Sequence, residues 1–420
     1  MSTPSGVLKI ALLSSSYAPE PTGIGPYSAE LAEALAAKGH DVRVVAAFPY
    51  HPEWRSRVPR GTLLYRTERR DGTRVTRCRV YVPRTPGFAR RLAHELSWTL
   101  AAGAVLPGLA AWADMWLVVT PLFGSAVLGA LLVRGLNARV HLHVQDVVPD
   151  IAIESGQLGT GLGARLAARV ARWTYGSFRS VSVLSESMAV RVRQYRGGTA
   201  DAEVIAPNWV RHGSATEARL PESLTGRPYG LYAGSFGRKQ DLTLLTDAAR
   251  LLSGCDGPAI AVLGDGPGRD VLRRAGDKIV WLGLVDDATY RTVLENALAG
   301  IVALSPGVAD SVVPSKLASY LGAGRPVVVA ADPESEAARV VGRARCGVWI
   351  PPGRADLLAD SLCRLHGDQA TWQAFAAAGL AYAKAHWEKD MIVGRIEAAL
   401  LALAGTYEQP QVRTSRGIQS

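Results

Sequence analysis

The chain is poor in cysteine, with four in 420 residues. Cys78, Cys255, Cys346 and Cys363 lie far apart and form no CxxC pair, which argues against a zinc knuckle or a disulfide framework and points to a reducing compartment. Charge is sparse too, at 20% against 48% hydrophobic residues, a balance that argues against disorder. No Asp-x-Asp pair occurs, and no acidic or cysteine cluster has metal-ligand spacing. A metal ion is therefore not expected, and no organic cofactor is expected either. The first residues lack the basic stretch, long apolar segment and cleavage site of a secretory signal. The expected location is cytoplasmic, against the inner face of the plasma membrane.

Long apolar runs are confined to Leu96 to Val133, where Asp114 alone separates uncharged stretches of 18 and 19 residues. These only just reach the length of a membrane span. The second stretch divides into a buried strand at 115–120, a Pro-Leu-Phe-Gly turn and a helix from about Ser125. The first contains Pro107 and glycines, and reads as a core helix or as one lying on a membrane surface.

What remains is an alternation of short apolar runs with helical patterns, the signature of parallel sheets covered by helices. Strands are expected at 8–14, 41–47, 115–120, 140–144 and 180–184, and again at 229–233, 259–263, 279–282, 300–304 and 326–330. The fold class is thus α/β, with two Rossmann-like domains facing each other across a cleft at the carboxyl ends of their strands. Their expected limits are 1–207 and 228–388, joined by a Pro/Gly/Arg-rich linker at 208–227. A terminal helix at 389–405 is expected to pack back on the first domain, ahead of a mobile tail at 406–420.

Of the net charge of +10, residues 1–207 carry +9, and within them Arg43 to Arg91 holds 13 arginines against Glu53, Glu68 and Asp71. Such an excess suits an anionic membrane surface or a diphosphate, or is a solvated face. Nucleic acid is not expected, because no binding module accompanies the charge. Membrane association through this region would weaken as salt rises.

Several loops carry candidate chemistry. Gly23 and Gly25 open a helix with a backbone that a diphosphate or sugar oxygen can approach, or form only a tight turn. A dinucleotide fingerprint is disfavoured, since Ser14 to Pro21 intervene after the strand and Asp41 precedes the second one. His141 and His143 share one side of a strand that ends in Gln145-Asp146. Contact with an acceptor through Asp146 or His143 is favoured over metal ligation, the bland alternative for Asp146 being a turn residue. Gly234-Ser235-Phe236-Gly237-Arg238-Lys239 sets two cations beyond a glycine turn, suited to a diphosphate or simply solvated. Gly264-Asp265-Gly266 follows the next strand. The segment Ser311 to Lys316, with Pro314 and Ser315, opens a helix carrying Ser319 whose N-terminus can face an anion.

The order of these motifs resembles family 4 of the GT-B glycosyltransferases, in the branch of exopolysaccharide and O-antigen enzymes. Tyr17-Ala18-Pro19-Glu20-Pro21, Phe48-Pro49-Tyr50-His51-Pro52, Gln145-Asp146, Ala206-Pro207-Asn208-Trp209, Gly264-Asp265-Gly266-Pro267 and Pro314-Ser315-Lys316 carry the likeness. It implies a nucleotide sugar, UDP- or GDP-linked, in the second domain and a lipid-linked or oligosaccharide acceptor in the first. It also implies hexosyl-type transfer with retention of configuration, without a metal ion. The family's paired glutamates fall here on Ser311 and Ser319, and its Arg and Lys after the first strand of the second domain fall on Ser235 and Gln240. The resemblance therefore leaves the diphosphate to Arg238 and Lys316. A sugar-nucleotide epimerase of the same fold and a non-catalytic polysaccharide assembly component are the alternatives.

Overall fold

The computed structural model describes residues 6–21, 23–51, 53–85, 87–147, 162–197, 203–211, 218–237, 239–253, 257–272, 276–307 and 315–405. The tail at 406–420 lies outside them. Among the described residues the strands form two sheets. The first runs in the order β3-β4-β2-β1-β5-β6-β7-β8, built from β1 (Lys9–Ser14), β2 (Asp41–Ala47), β3 (Tyr65–Arg70), β4 (Thr73–Cys78), β5 (Met115–Val119), β6 (Val140–Val144), β7 (Ser180–Val183) and β8 (Glu203–Ile205). The second runs β11-β10-β9-β12-β13-β14, from β9 (Tyr229–Ala233), β10 (Ala259–Leu263), β11 (Ile279–Gly283), β12 (Ala299–Ala303), β13 (Val327–Ala330) and β14 (Gly347–Ile350). Every pairing is parallel except β3 with β4. Strands covered on both faces read as unbroken apolar runs, as β5 and β9 do, each buried along its whole length.

The β3–β4 hairpin is the element that hydropathy hides. Tyr65 to Arg70 has four charged residues in six at a sheet edge, and the turn is made by Asp71 and Gly72, both at positive φ. That two-residue turn matches the twist of a hairpin. The hairpin also changes the meaning of the basic segment. Arg77 is not a solvated cation: it is buried, donates to Glu68 Oε1 at 2.9 Å and to the carbonyls of Ala47 and Ala18, and lies over the Tyr17 ring.

Helices α1 (Gly25–Ala37), α2 (Phe88–Gly103), α3 (Leu106–Ala110), α4 (Phe123–Leu136), α5 (Leu162–Tyr175) and α6 (Glu186–Arg196) belong to the first sheet. Helices α7 (Leu242–Ser253), α8 (Arg269–Leu272), α9 (Asp287–Glu295), α10 (Ser315–Gly322), α11 (Glu336–Ala344), α12 (Ala355–Gly367) and α13 (Gln369–His386) cover the second. Helix α14 (Lys389–Gly405) returns to the first unit. Its Ile392, Ile396 and Leu400 share a core with Ile10, Leu12, Leu31 and Leu35. Glu397 on that helix accepts from Lys38 Nζ at 2.9 Å and from His40 Nε2 at 3.2 Å. Glu30 on α1 ties the connecting segment down, taking Trp209 Nε1 at 2.6 Å and Arg211 Nε at 2.7 Å. No helix among the described residues is long and apolar enough to cross a membrane. The apolar stretch from Leu96 instead becomes the end of α2, then α3, β5 and α4.

Candidate active site

The ends of β9 and β10 make a turn in which two backbones nearly touch. Gly234 donates to the Leu263 carbonyl at 2.9 Å, and Phe236 N to the Asp265 carbonyl at 3.1 Å. A side chain on Gly264 would meet Gly234 O at 1.9 Å, and Gly264 has φ +134°, so glycine is required there. Gly266, at φ +153°, is pressed against Phe236 in the same way. Asp265 turns its carboxylate back to its neighbour, accepting from Gly266 N at 2.7 Å.

Lys316, in the first turn of α10, reaches into this turn. Its Nζ donates to Gln240 Oε1 at 2.9 Å and lies 4.2 Å from the centre of the Tyr232 ring, and a methyl on Gly234 would stand 3.0 Å from it. Burial pushes its ammonium down to about 7. An amide oxygen and an aromatic face hold a cation without neutralising it. The contact with Gln240 was not visible in the sequence, although Gln240 occupies the position where the family resemblance expects a lysine. Tyr232 OH donates to the Ser235 carbonyl at 3.1 Å and approaches Gln240 Oε1 at 3.2 Å, closing the group. Ser315 opens α10, and Ser319 one turn later donates its hydroxyl to the Ser315 carbonyl at 3.4 Å. Of the residues expected to hold a donor, Arg238, Ser311 and Pro314 lie outside the described residues.

In the first unit, β6 sends a string of polar groups toward its carboxyl end. Gln145 Nε2 donates to His143 Nε2 at 2.7 Å, which makes His143 Nδ1 the donor to Ser182 Oγ at 2.8 Å. Ser182 then donates to His141 Nε2 at 2.8 Å, and His141 Nδ1 donates to Ser180 Oγ at 2.7 Å. Burial lowers the His143 imidazole to about 4 and the His141 imidazole to about 3, so both are neutral at pH 7. Every ring nitrogen of the pair has a protein partner, and no group of three metal-ligating side chains exists among the described residues. His143 thus meets the cleft only through Gln145, which also exchanges two hydrogen bonds with Asn208, at 2.9 and 3.1 Å. Asp146, two residues beyond the end of β6, is mostly buried but keeps some exposure. Burial raises its carboxyl to about 6, opposed by the charge of Lys239 from the second unit.

Two other loops carrying the resemblance meet each other in the first unit. Glu20 Oε1 accepts from the backbone N–H of Tyr50 at 3.0 Å and of His51 at 3.1 Å, while Oε2 is buried with no partner. That second oxygen, unpartnered among the described residues, lies 3.3 Å from where a methyl on Gly25 would sit. Gly23 turns beside the His51 ring. Tyr50 OH pairs with His94 Nε2 at 3.1 Å, and His94 Nδ1 with the Tyr81 carbonyl at 2.6 Å. Next to His94, Glu95 accepts from Phe123 N at 3.3 Å and Gly124 N at 3.1 Å, capping α4 from a neighbouring helix; burial lifts its carboxyl to about 7. Glu20 stood in the sequence only as part of a motif, with no role of its own, and His94 and Glu95 were missed. The signal was there: the pair at 94 and 95 is the polar interruption of an apolar face.

Residues 22–209 match the family model described as Glycosyl transferase 4-like domain, and residues 227–368 match Glycosyl transferases group 1. The chain is 31% identical over 349 residues, 78% of its length and 84% of the relative's, to the putative colanic acid biosynthesis glycosyl transferase WcaI of Escherichia coli (strain K12). It is a GT-B glycosyltransferase of family 4. The glycosyltransferase shares its fold with sucrose-phosphate synthase from Thermosynechococcus elongatus, at 18% identity and TM-score 0.68 over 94% of this chain and 99% of that one. It is similarly close to Anabaena Alr3699/HepE in complex with UDP-glucose, at 15% identity and TM-score 0.64 over 94% and 100% of the two chains. The α/β fold class and the two Rossmann-like units expected from the alternation of strands and helices are those of this glycosyltransferase.

Proposed function

We propose that this glycosyltransferase moves a hexosyl group, with retention, from a UDP- or GDP-linked sugar to a hydroxyl of a lipid-linked or oligosaccharide acceptor, on the cytoplasmic face of the membrane during polysaccharide assembly. The observation that carries the reading is Lys316, a cation held at a glycine turn by an amide oxygen and a ring. A diphosphate there would meet one ammonium from α10 and the backbone of Gly234, Ser235, Gly264, Asp265 and Gly266, with Arg238, Ser311, Pro314, Ser315 and Ser319 completing the donor side. The relatives support the donor class, since HepE is described in complex with UDP-glucose, and WcaI supports the polysaccharide context. As the sugar–phosphate bond breaks, charge grows on the phosphate that Lys316 faces. The attacking hydroxyl loses its proton to that phosphate oxygen while Asp146 orients it and His143 holds Gln145 in place. Gly23 and Gly25 line the opposite wall. In this reading neither a metal ion nor a cofactor takes part, because cationic side chains neutralise the leaving group.

The second-order rate at low concentrations of both substrates reports groups of the free enzyme. Asp146 must be ionised, which fails as pH falls through about 6, and Lys316 must be charged, which fails as pH rises through about 7. With EDTA present, the pH profile should form a narrow bell between those values. Asp146→Asn should remove the acid limb, and Lys316→Arg should move the alkaline limb beyond reach, since guanidinium stays charged. A flat profile, or activity that EDTA abolishes and manganese restores, would contradict the assignment.

A further inference from the structure

Helix α2 has two opposed stripes, and only one of them is covered. His94, Trp98 and Ala102 face inward and are buried, with Glu95 beside them on α4. On the other side Phe88, Leu92, Leu96 and Leu100 recur every fourth residue and are 48%, 60%, 58% and 66% exposed. Other apolar groups gather beside that stripe. Tyr65 OH donates to the Ala101 carbonyl at 3.1 Å and Tyr81 N to Ser97 Oγ at 2.9 Å, so these two exposed tyrosines, with Leu63 and Leu64 preceding Tyr65, extend the apolar surface. Its border is basic: Arg79, Arg84, Arg90 and Arg91 are exposed, and none pairs with a carboxylate among the described residues. The single acid of α2, Glu95, points into the protein.

We propose that this surface is where the enzyme seats on an anionic lipid bilayer, with α2 lying in the plane of the headgroups. Sixteen residues make a helix of about 24 Å, too short to span a hydrocarbon core of about 30 Å but suited to lying on it. Leucines facing lipid supply an apolar contact that salt does not screen, and the arginines supply the attraction to anionic headgroups. This joins two expectations from the sequence, electrostatic attachment through the arginine-rich segment and a helix from Leu96 lying on a membrane surface, in one surface whose exposed stripe begins at Phe88. It also gives α2 a second role: its inner face brings His94 and Glu95 to the acceptor side of the cleft, so an acceptor anchored in the same bilayer would arrive at the level of these groups. That last step rests on the proposed acceptor class; the seating itself does not.

Flotation of the purified full chain with vesicles tests the seating without reference to activity. The protein should bind vesicles of phosphatidylcholine mixed equally with phosphatidylglycerol, bind phosphatidylcholine alone much more weakly, and retain a measurable fraction on the mixed vesicles at high salt. Leu92→Glu with Leu96→Glu should lower partitioning by about tenfold per leucine or more. Leu64→Glu, on a separate element, should lower it too, while Leu251→Glu, an exposed leucine of α7, should leave it unchanged. The proposal is overturned if the wild-type chain does not float, if the α2 variants float as it does, or if the patch instead joins two copies of the chain that L92E/L96E separates without any vesicle binding. Loss of transferase activity with flotation intact would count against the proposed function and not against this surface.

Discussion

Lys316→Ala is expected to lower turnover by about a hundredfold, a loss on the order of 3 kcal/mol in the transition state, with a much smaller change in donor affinity. The asymmetry follows from where the charge appears. A bound nucleotide sugar spreads its charge over the diphosphate, and the departing sugar adds to it, so the ammonium beside the Gly234 turn interacts more strongly as the bond breaks. Its contacts are an amide oxygen and the Tyr232 ring, neither of which carries positive charge. Arg238→Ala should behave alike, and the double variant should be less than additive, as for groups serving one charge. Lys239→Ala should cost far less and should move the acid limb of the pH profile upward, because Lys239 opposes the effect of burial on Asp146. Steady-state kinetics beside direct donor-binding measurements separate these outcomes. Near-normal turnover in folded Lys316→Ala and Arg238→Ala proteins would show that the diphosphate lies elsewhere.

Gly264→Ala is expected to destabilise the second unit by roughly 3 kcal/mol and to abolish donor binding in whatever protein remains folded. The added carbon would stand 1.9 Å from Gly234 O and 3.0 Å from its carbonyl carbon. Both backbones continue directly from paired parallel strands, β9 and β10, so neither can retreat without breaking the register Ala233 shares with Leu263. Gly237→Ala, in the same loop, meets no atom within 4 Å and should shift stability by less than about 0.5 kcal/mol. Denaturant unfolding of the two variants makes the comparison. Equal stabilities would mean that the close approach of the two turns is not a feature of the folded protein.

The parts of this site that the sequence displayed are those that follow a strand. Apolar runs such as Met115 to Val119 and Ala259 to Leu263 identify parallel strands, and the residues after them fall at the cleft because that is where such sheets end. Lys316 was singled out differently, from the helix start at Ser315 and the Pro314-Ser315-Lys316 resemblance. Its partner Gln240 was not, because the contact joins residues 76 apart and an uncharged amide carries no compositional signal. The β3–β4 hairpin escaped because β3 is mostly charged and has no apolar run, although Asp71-Gly72 names the turn. His143 looked like a cleft residue by position, yet the cross-strand serines Ser180 and Ser182 draw the histidines into a buried chain that no local pattern announces. The two stripes of α2 were hidden by reading its apolar stretch from Leu96 onward, which cuts the helix in the middle and loses Phe88 and Leu92.

The central claim is that a sugar leaves a nucleoside diphosphate in this cleft and joins an acceptor. The most direct test incubates the purified enzyme with a panel of radiolabelled UDP- and GDP-sugars and a lipid-linked acceptor, in EDTA, and follows the label. Transfer of label from one donor to the acceptor, lost in Lys316→Ala, is the predicted result. An epimerised donor with no transfer, or label that stays on every donor tested with the acceptor present, would contradict it.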